Sequence, residues 1–185
     1  MLACYQKAAL MSPGRVLGRQ LLPLSSWHVA ALDALGSPYF SGGAPTVSDL
    51  VIAVDVCSSG WVEDARTRAQ QATRSLRGPH GLIAWWVGLR FDGRRELAAM
   101  GAHVSAYMDW PQFWSDGTSR RPGVQLAYHL VATLMSNTTL TEARCWNMPI
   151  NLAQCYVAGV ACNNGADVAD ADIEDAMRIL QPCQN

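Results

Sequence analysis

Charge is what this chain has least of. Only 16% of its 185 residues are Asp, Glu, Lys or Arg, and the formal net charge is −1. A chain so balanced is not built to bind nucleic acid or an anionic membrane surface along its whole length. Lysine is nearly missing: Lys7 stands alone beside thirteen arginines. Phenylalanine occurs three times against seven tryptophans. No apolar run reaches the roughly eighteen residues that a membrane-spanning helix needs. The opening "MLACYQKAALMSPGR" lacks the basic start and long apolar stretch of a secretory signal. The common catalytic signatures are missing too: no G-x-S-x-G elbow, no phosphate-binding G-x-x-x-x-G-K-[ST], no G-x-G-x-x-G and no H-E-x-x-H.

Half of the residues are apolar, enough for a real core, and the length suits one domain. Six cysteines are present: Cys4, Cys57, Cys145, Cys155, Cys162 and Cys183. Without a secretory signal they read as reduced, small, mostly buried side chains in a cytosolic setting. Cys155 and Cys162 lie seven apart on one helical face, but no C-x-x-C pair accompanies them. Core filler is therefore the expectation, with no metal and no cofactor. The acidic string Asp167, Asp170, Asp172, Glu174 and Asp175 lacks the glycine and terminal glutamate of a calcium loop. It reads as a solvated helix start.

Most of the chain has helical periodicity. Residues 1–22 are the exception and read as an N-terminal arm that could hold a short helix. "SSWHVAALDALG" starts at Ser25 or Ser26 and stops at Gly36. Its predicted buried stripe is Trp27, Ala31, Ala34 and Leu35. Residues 37–45, rich in proline and glycine, read as a loop. Thr46 and Asp49 stand at capping-box spacing before a helix whose face is Leu50, Val51, Val54 and Cys57. Further helices are predicted over 61–77, 82–91, 93–108, 124–137 and 172–181; in 82–91 period alone does not separate helix from strand. Thr139 and Glu142 suggest another capping box. Asn147 and Pro149 suggest the start of the next helix.

That helix is the most unusual element. From Leu152 to Cys162 only Gln154 is polar. A helix apolar nearly all round is either the central post of a helical domain or a surface covered by another subunit. The fold class expected is all-α: a single compact domain of about seven helices over 23–185, preceded by the arm.

Two features suit contact with other chains. The loop 109–123 carries Trp110, Phe113 and Trp114 among prolines, glycines and charges, the pattern of an exposed contact site or of a plug folded onto the core. Residues 66–95 hold seven arginines and one acid, whereas 163–185 hold five acids and one arginine. Arg66, Arg74 and Arg77 cluster on one helical side and are candidates for electrostatic contacts, unless they are an ordinary solvated face. They could also serve a nucleic-acid-contacting role, although they are not interleaved with aromatics. The histidines His28, His80, His103 and His129 are far apart in sequence. His28 with Ser26 and Asp33 supplies the residue types of a triad, which only geometry can define.

The segments "WHVAALDALGSPYFSGGAPTVSDLVIAVDVCSS" and "EARCWNMPINLAQCYVAGVACNNGADVADADIED" resemble small helical proteins of the morphogenesis modules of tailed bacteriophages. The shared pattern is a helix, then S-P-[YF] with glycines, then a D-L helix ending in C-S. A W-N-M-P corner later leads into a helix bearing Tyr156. Such relatives often carry a glutamate before the glycine that ends this helix; here Asn164 precedes Gly165. The resemblance covers about half the chain and implies a tail-assembly-chaperone-like role: binding a viral structural protein in the host cytoplasm or within the virion. On this reading the protein is not an enzyme. Trp110, Phe113 and Trp114 are the partner anchors, and Trp146, Met148, Pro149 and Tyr156 fix the corner. The alternatives are a nucleic-acid-contacting accessory protein of head or tail, and a small enzyme whose motif is not recognisable. A homo-oligomer fits the first reading; a membrane does not.

Overall fold

The structure is a computed structural model that describes residues 14–62, 89–108 and 124–164. Among these residues the fold is all-α, with seven helices and one small hairpin. The helices predicted over 61–77, 82–91 and 172–181 fall wholly or mostly outside the described residues, as do the acidic string and the loop 109–123.

The described end of the expected arm is not helical. Strands β1 (Arg15–Val16) and β2 (Arg19–Gln20) pair antiparallel, with Arg15 opposite Gln20. The two residues between them, Leu17 (φ 50°) and Gly18 (φ 73°), are both left-handed. A two-residue hairpin turn matching strand twist requires this, and for Leu17 it is strained. The Leu17 N–H donates to a Glu96 carboxylate oxygen. Val16, Leu21 and Leu24 are buried, so this stretch is part of the core.

Helix α1 (Ser26–Ala34) begins at Ser25 as predicted, and Gly36 turns the chain beyond it with φ 66°. Its buried face is not the predicted stripe. Ser26, His28, Val29, Ala30 and Leu32 point inward, while Trp27, Ala31 and Leu35 are half-buried and Ala34 is exposed. The expected loop after it contains a single turn of helix, α2 (Pro38–Ser41), with Pro38 at its first position and Gly42 closing it at φ 80°. Proline needs no N–H there, so the break that was expected to prevent a helix starts one.

Helix α3 (Val47–Cys57) has the predicted capping box. The Asp49 N–H donates to Thr46 Oγ1 at 3.3 Å, and the Thr46 N–H donates to Asp49 Oδ2 at 2.8 Å. Leu50, Ala53, Val54, Val56 and Cys57 are buried. Thr46→Ala removes both the acceptor and the Thr46 hydroxyl's bond to Asp49. It is expected to cost about 1 kcal/mol of stability, read as a lower urea midpoint at unchanged slope.

Helices α4 (Gly93–Met108) and α5 (Val124–Asn137) match the predicted spans. Asp92 caps α4, its Oδ1 accepting from the Arg94 and Arg95 N–H groups. The inward face of α4 is Met100, His103, Val104 and Tyr107; that of α5 is Ala127, Leu130, Val131 and Leu134. Both follow three- and four-residue steps. α6 (Glu142–Asn147) is capped by Thr141, which accepts from the Arg144 N–H at 3.4 Å, and not by Thr139 as predicted. α7 (Ile150–Asn163) ends the described chain.

The core is arranged around α1 and α5, which share the most extensive contact. α7 packs on α5 and on α4, α3 packs on α4, and α6 touches both α1 and α5. The apolar helix α7 is therefore not an all-round central post among the described residues. Ile150, Asn151, Ala153, Cys155 and Ala158 are buried, Leu152, Val157, Gly159, Val160 and Ala161 are half-buried, and Tyr156 is exposed.

Candidate functional site: a charge-free surface and its corner

Of the predicted contact residues, Trp110, Phe113, Trp114, Arg66, Arg74 and Arg77 lie outside the described residues. The corner residues lie within them. Trp146 is buried on α6; its indole N–H donates to Glu142 Oε1 at 3.2 Å, and its ring meets Tyr128 of α5 edge-on, 5.1 Å between centroids at 87°. Met148 is extended and half-buried against the core. Pro149 pairs with Ser25 in an isolated antiparallel bridge, and the Ile150 N–H donates to the Leu24 carbonyl at 2.8 Å. The Pro149 carbonyl accepts from Ala153 N–H at 2.9 Å, so α7 hangs from the corner by its first turn. Trp146, Met148 and Pro149 all lie in this one turn between α6 and α7. Tyr156 does not join them: it faces outward about two turns further along α7.

Asn147 has a different task from the one predicted. It ends α6 and does not cap α7. Its Oδ1 accepts from the Trp61 N–H at 2.8 Å, and its Nδ2 donates to the Trp61 carbonyl at 3.1 Å and the Ala143 carbonyl at 2.9 Å. One side-chain amide thus satisfies both backbone groups of a residue 86 positions away. The approach is close enough that a Cβ on Gly60 would sit 3.0 Å from Asn147 Oδ1. Asn147→Ala is expected to cost about 1–2 kcal/mol by removing the bonds to both Trp61 backbone groups, seen as a lower melting temperature. Asn147→Asp keeps the acceptor but loses the donor, and should fall between the two.

Behind the corner sits a buried histidine. His28 Nδ1 accepts from the Ser25 N–H at 3.0 Å and lies 3.2 Å from Ser25 Oγ; Nε2 is 2.7 Å from the Ser59 carbonyl oxygen. A carbonyl only accepts, so Nε2 carries the hydrogen; a backbone amide only donates, so Nδ1 is bare. The ring is neutral, and burial lowers its pKa to about 4, against a raising contribution from the Ser59 carbonyl and a further lowering one from His103. Its partners are Ser25 and Ser59, not the Ser26 and Asp33 of the triad idea. It ties the start of α1 to the residue pair that follows α3. His103 of α4 is also buried and its pKa lowered by that burial, with the Leu22 backbone opposing. Its ring meets Tyr107 edge-on at 5.2 Å. His129 is exposed on α5. Cys57, Cys145 and Cys155 are buried, and burial pushes the Cys57 thiol up to about 12, so it behaves as a small apolar side chain. Among the described residues no three His, Cys, Asp or Glu side chains are grouped to hold a metal, and no helix is long and apolar enough to cross a membrane.

Among the described residues, α5 and α7 carry three of the exposed large apolar side chains. Tyr128 is 57% exposed, Met135 46% and Tyr156 39%. Neither helix contains Asp, Glu, Lys or Arg anywhere in its length. Solvated helix faces normally carry such residues, and their depletion marks surfaces that meet protein. Tyr128 and Met135 are not among the contact residues predicted from the sequence, which lie on the loop and the arginine face. The available signal was the absence of charge from two whole helices.

No protein-family model, no curated protein and no solved structure matches the chain.

Proposed function

We propose that this is a non-enzymatic assembly protein that works by contact with other protein chains, and that its setting is the morphogenesis of a tailed bacteriophage. The observation that carries the reading is the charge-free outward surface of α5 and α7, with Tyr128 held edge-on against Trp146. Aromatic anchors within an uncharged patch are what protein contacts use. Among the described residues, His28 is held by Ser25 and Ser59, and Cys57 is a buried thiol. The phage setting rests on the sequence pattern of the two long segments, in particular the W-N-M-P corner. In that setting the partner is a viral structural protein of the tail or the head–tail junction. Trp110, Phe113 and Trp114 are its proposed anchors, and Arg66, Arg74 and Arg77 its proposed electrostatic contacts. The place of action is the host cytoplasm during assembly, or the virion.

The test is mass spectrometry of purified particles and of stalled assembly intermediates from infected cells making an affinity-tagged chain. A helper is expected in intermediates only, and a built-in component in both. Absence from both, with no structural protein co-purifying, would sink the reading.

A further inference from the structure

We propose that residues 14–25 form an acid-released strap, which lifts off the helices as one unit while the helices stay packed. The device is independent of the assembly reading, and failure of either leaves the other standing.

The strap comprises the β1–β2 hairpin and the run that leads from it to Ser25. Titratable side chains from different helices fasten it along its length. At the hairpin, the Leu17 N–H donates to a Glu96 carboxylate oxygen of α4, and the Arg19 guanidinium pairs with Asp55 of α3 at 3.1 Å. The His103 ring of α4 lies against Gly14, where a Cβ would sit 3.5 Å from Nδ1, and against the Leu22 backbone. At the far end, the Ser25 N–H donates to His28 Nδ1 of α1 at 3.0 Å. Backbone bonds add to these: the Leu22 N–H donates to the Cys57 carbonyl, and the Leu24 carbonyl accepts from the Ile150 N–H, each at 2.8 Å.

These side chains hold the strap in the form they have at neutral pH. Glu96 and Asp55 act as carboxylates, and protonation removes the charge that makes such bonds strong. His28 acts as a neutral ring, because only a bare Nδ1 accepts from an amide. Protonated, it would turn a hydrogen against the Ser25 N–H and add a positive charge near His103. Acid therefore weakens the fastenings from α1, α3 and α4 in one direction. The other groups around the strap do not compensate. Guanidinium groups stay charged, so neutralising Asp55 and Glu96 leaves Arg15 and Arg19 of the hairpin facing Arg94 and Arg95 at the start of α4. Asp92, the remaining acid at that helix start, is engaged in capping it. The Cys57 thiol and Tyr107 hydroxyl, both shifted upward by burial, carry no charge in acid. The corner residues 146–150 include no titratable side chain.

The helices do not need the strap to meet one another. α1 packs on α5, α7 on α5 and α3 on α4 directly. Leu17, strained at φ 50° in the closed form, relaxes when the hairpin lets go. Opening breaks the Ser25–Pro149 bridge and empties the seats of Val16, Leu21 and Leu24. The acid form thus presents an apolar surface that the neutral form hides.

Residue-resolved hydrogen exchange on the full chain at pH 7, 6 and 5, corrected for the intrinsic effect of pH on exchange, tests this. The Leu17, Leu22, Ser25 and Ile150 amides should share one protection factor, about ten-fold or more below that of Leu134 in α5. That shared factor should fall about twenty-fold from pH 7 to 5 through His28. Urea below the unfolding transition should leave it nearly unchanged while lowering that of Leu134, because a lifted strap exposes little surface. Glu96→Gln keeps an acceptor for Leu17 without the charge. It should lower protection about five-fold at Leu17 and equally at Ser25, the other end of the strap. His28→Gln should flatten the pH dependence of all four amides. Strap amides with the protection and urea response of Leu134 would show that they open only with the whole fold, and would overturn the proposal. So would strap protection indifferent to pH, a Glu96→Gln effect confined to Leu17, or a pH dependence that survives His28→Gln.

Discussion

Lowering the pH from 7 to 4 is expected to cost the fold about 3 kcal/mol through His28 alone. In the folded protein its pKa is lowered from 6.5 to about 4 by burial. Between those values the unfolded chain binds a proton that the folded chain refuses. The contribution is fully present above pH 6.5, falls by about 1.4 kcal/mol per pH unit below it, and levels off once pH passes 4. The geometry explains the refusal. Protonating Nδ1 would turn its hydrogen against the Ser25 N–H, 3.0 Å away, which is itself a donor. His103, buried and lowered as well, adds to the loss in the same direction. Urea unfolding at several pH values between 7 and 4 gives the slope. His28→Gln removes the titrating group, so its stability should be lower at pH 7 but depend much less on pH. An unchanged slope in that variant would place the acid sensitivity elsewhere. Because His28 links Ser25 to Ser59, the first region to lose amide protection in acid should be the junction of α1, α3 and the Trp146–Pro149 corner.

What was legible in the sequence was local. The Thr46–Asp49 box could be read because both halves lie within four residues and satisfy each other. The spans of α4 and α5 were legible because one apolar side repeats over several turns. Where two local answers competed, distant contacts decided. α1 has two weakly apolar sides and almost no charge to distinguish them. The side with Ser26 and His28 faces inward because the Ser59 carbonyl, 31 residues away, takes the imidazole hydrogen. Nothing near His28 in sequence announces that partner. Asn147 is a similar case: its type and its place before Pro149 suit a helix cap, but its partner is Trp61.

The choice between Thr139 and Thr141 has a local cause of a different kind. Thr138 Oγ1 donates to the Leu134 carbonyl and accepts from the Leu140 N–H, so residues 138–140 are engaged in ending α5. The next helix therefore begins only at Thr141. The surface of α5 and α7 shows a further limit. Periodicity places apolar residues inside, and it has no term for a face that is outward and still free of charge. The sequence contained the signal as an absence, and its meaning depended on the two helices lying side by side.

Leu134 and Met135 are consecutive residues on α5, and their replacement by alanine should give opposite results. Leu134 is fully buried in the core. Leu134→Ala removes about three methylene-sized groups from the core. It is expected to cost about 2–5 kcal/mol, the lost transfer energy plus the cavity left behind. A domain of this kind has about 5–15 kcal/mol in total, so the variant should be visibly destabilised at 37 °C. Met135 turns the other way and is 46% exposed. Met135→Ala, compared at a dilution where the chain is monomeric, should change stability by no more than about 0.5 kcal/mol. Urea midpoints at a common slope measure both. Equal losses would mean that the charge-free side of α5 is covered within the monomer. A large loss at Leu134 alone leaves Met135 where a partner chain can reach it.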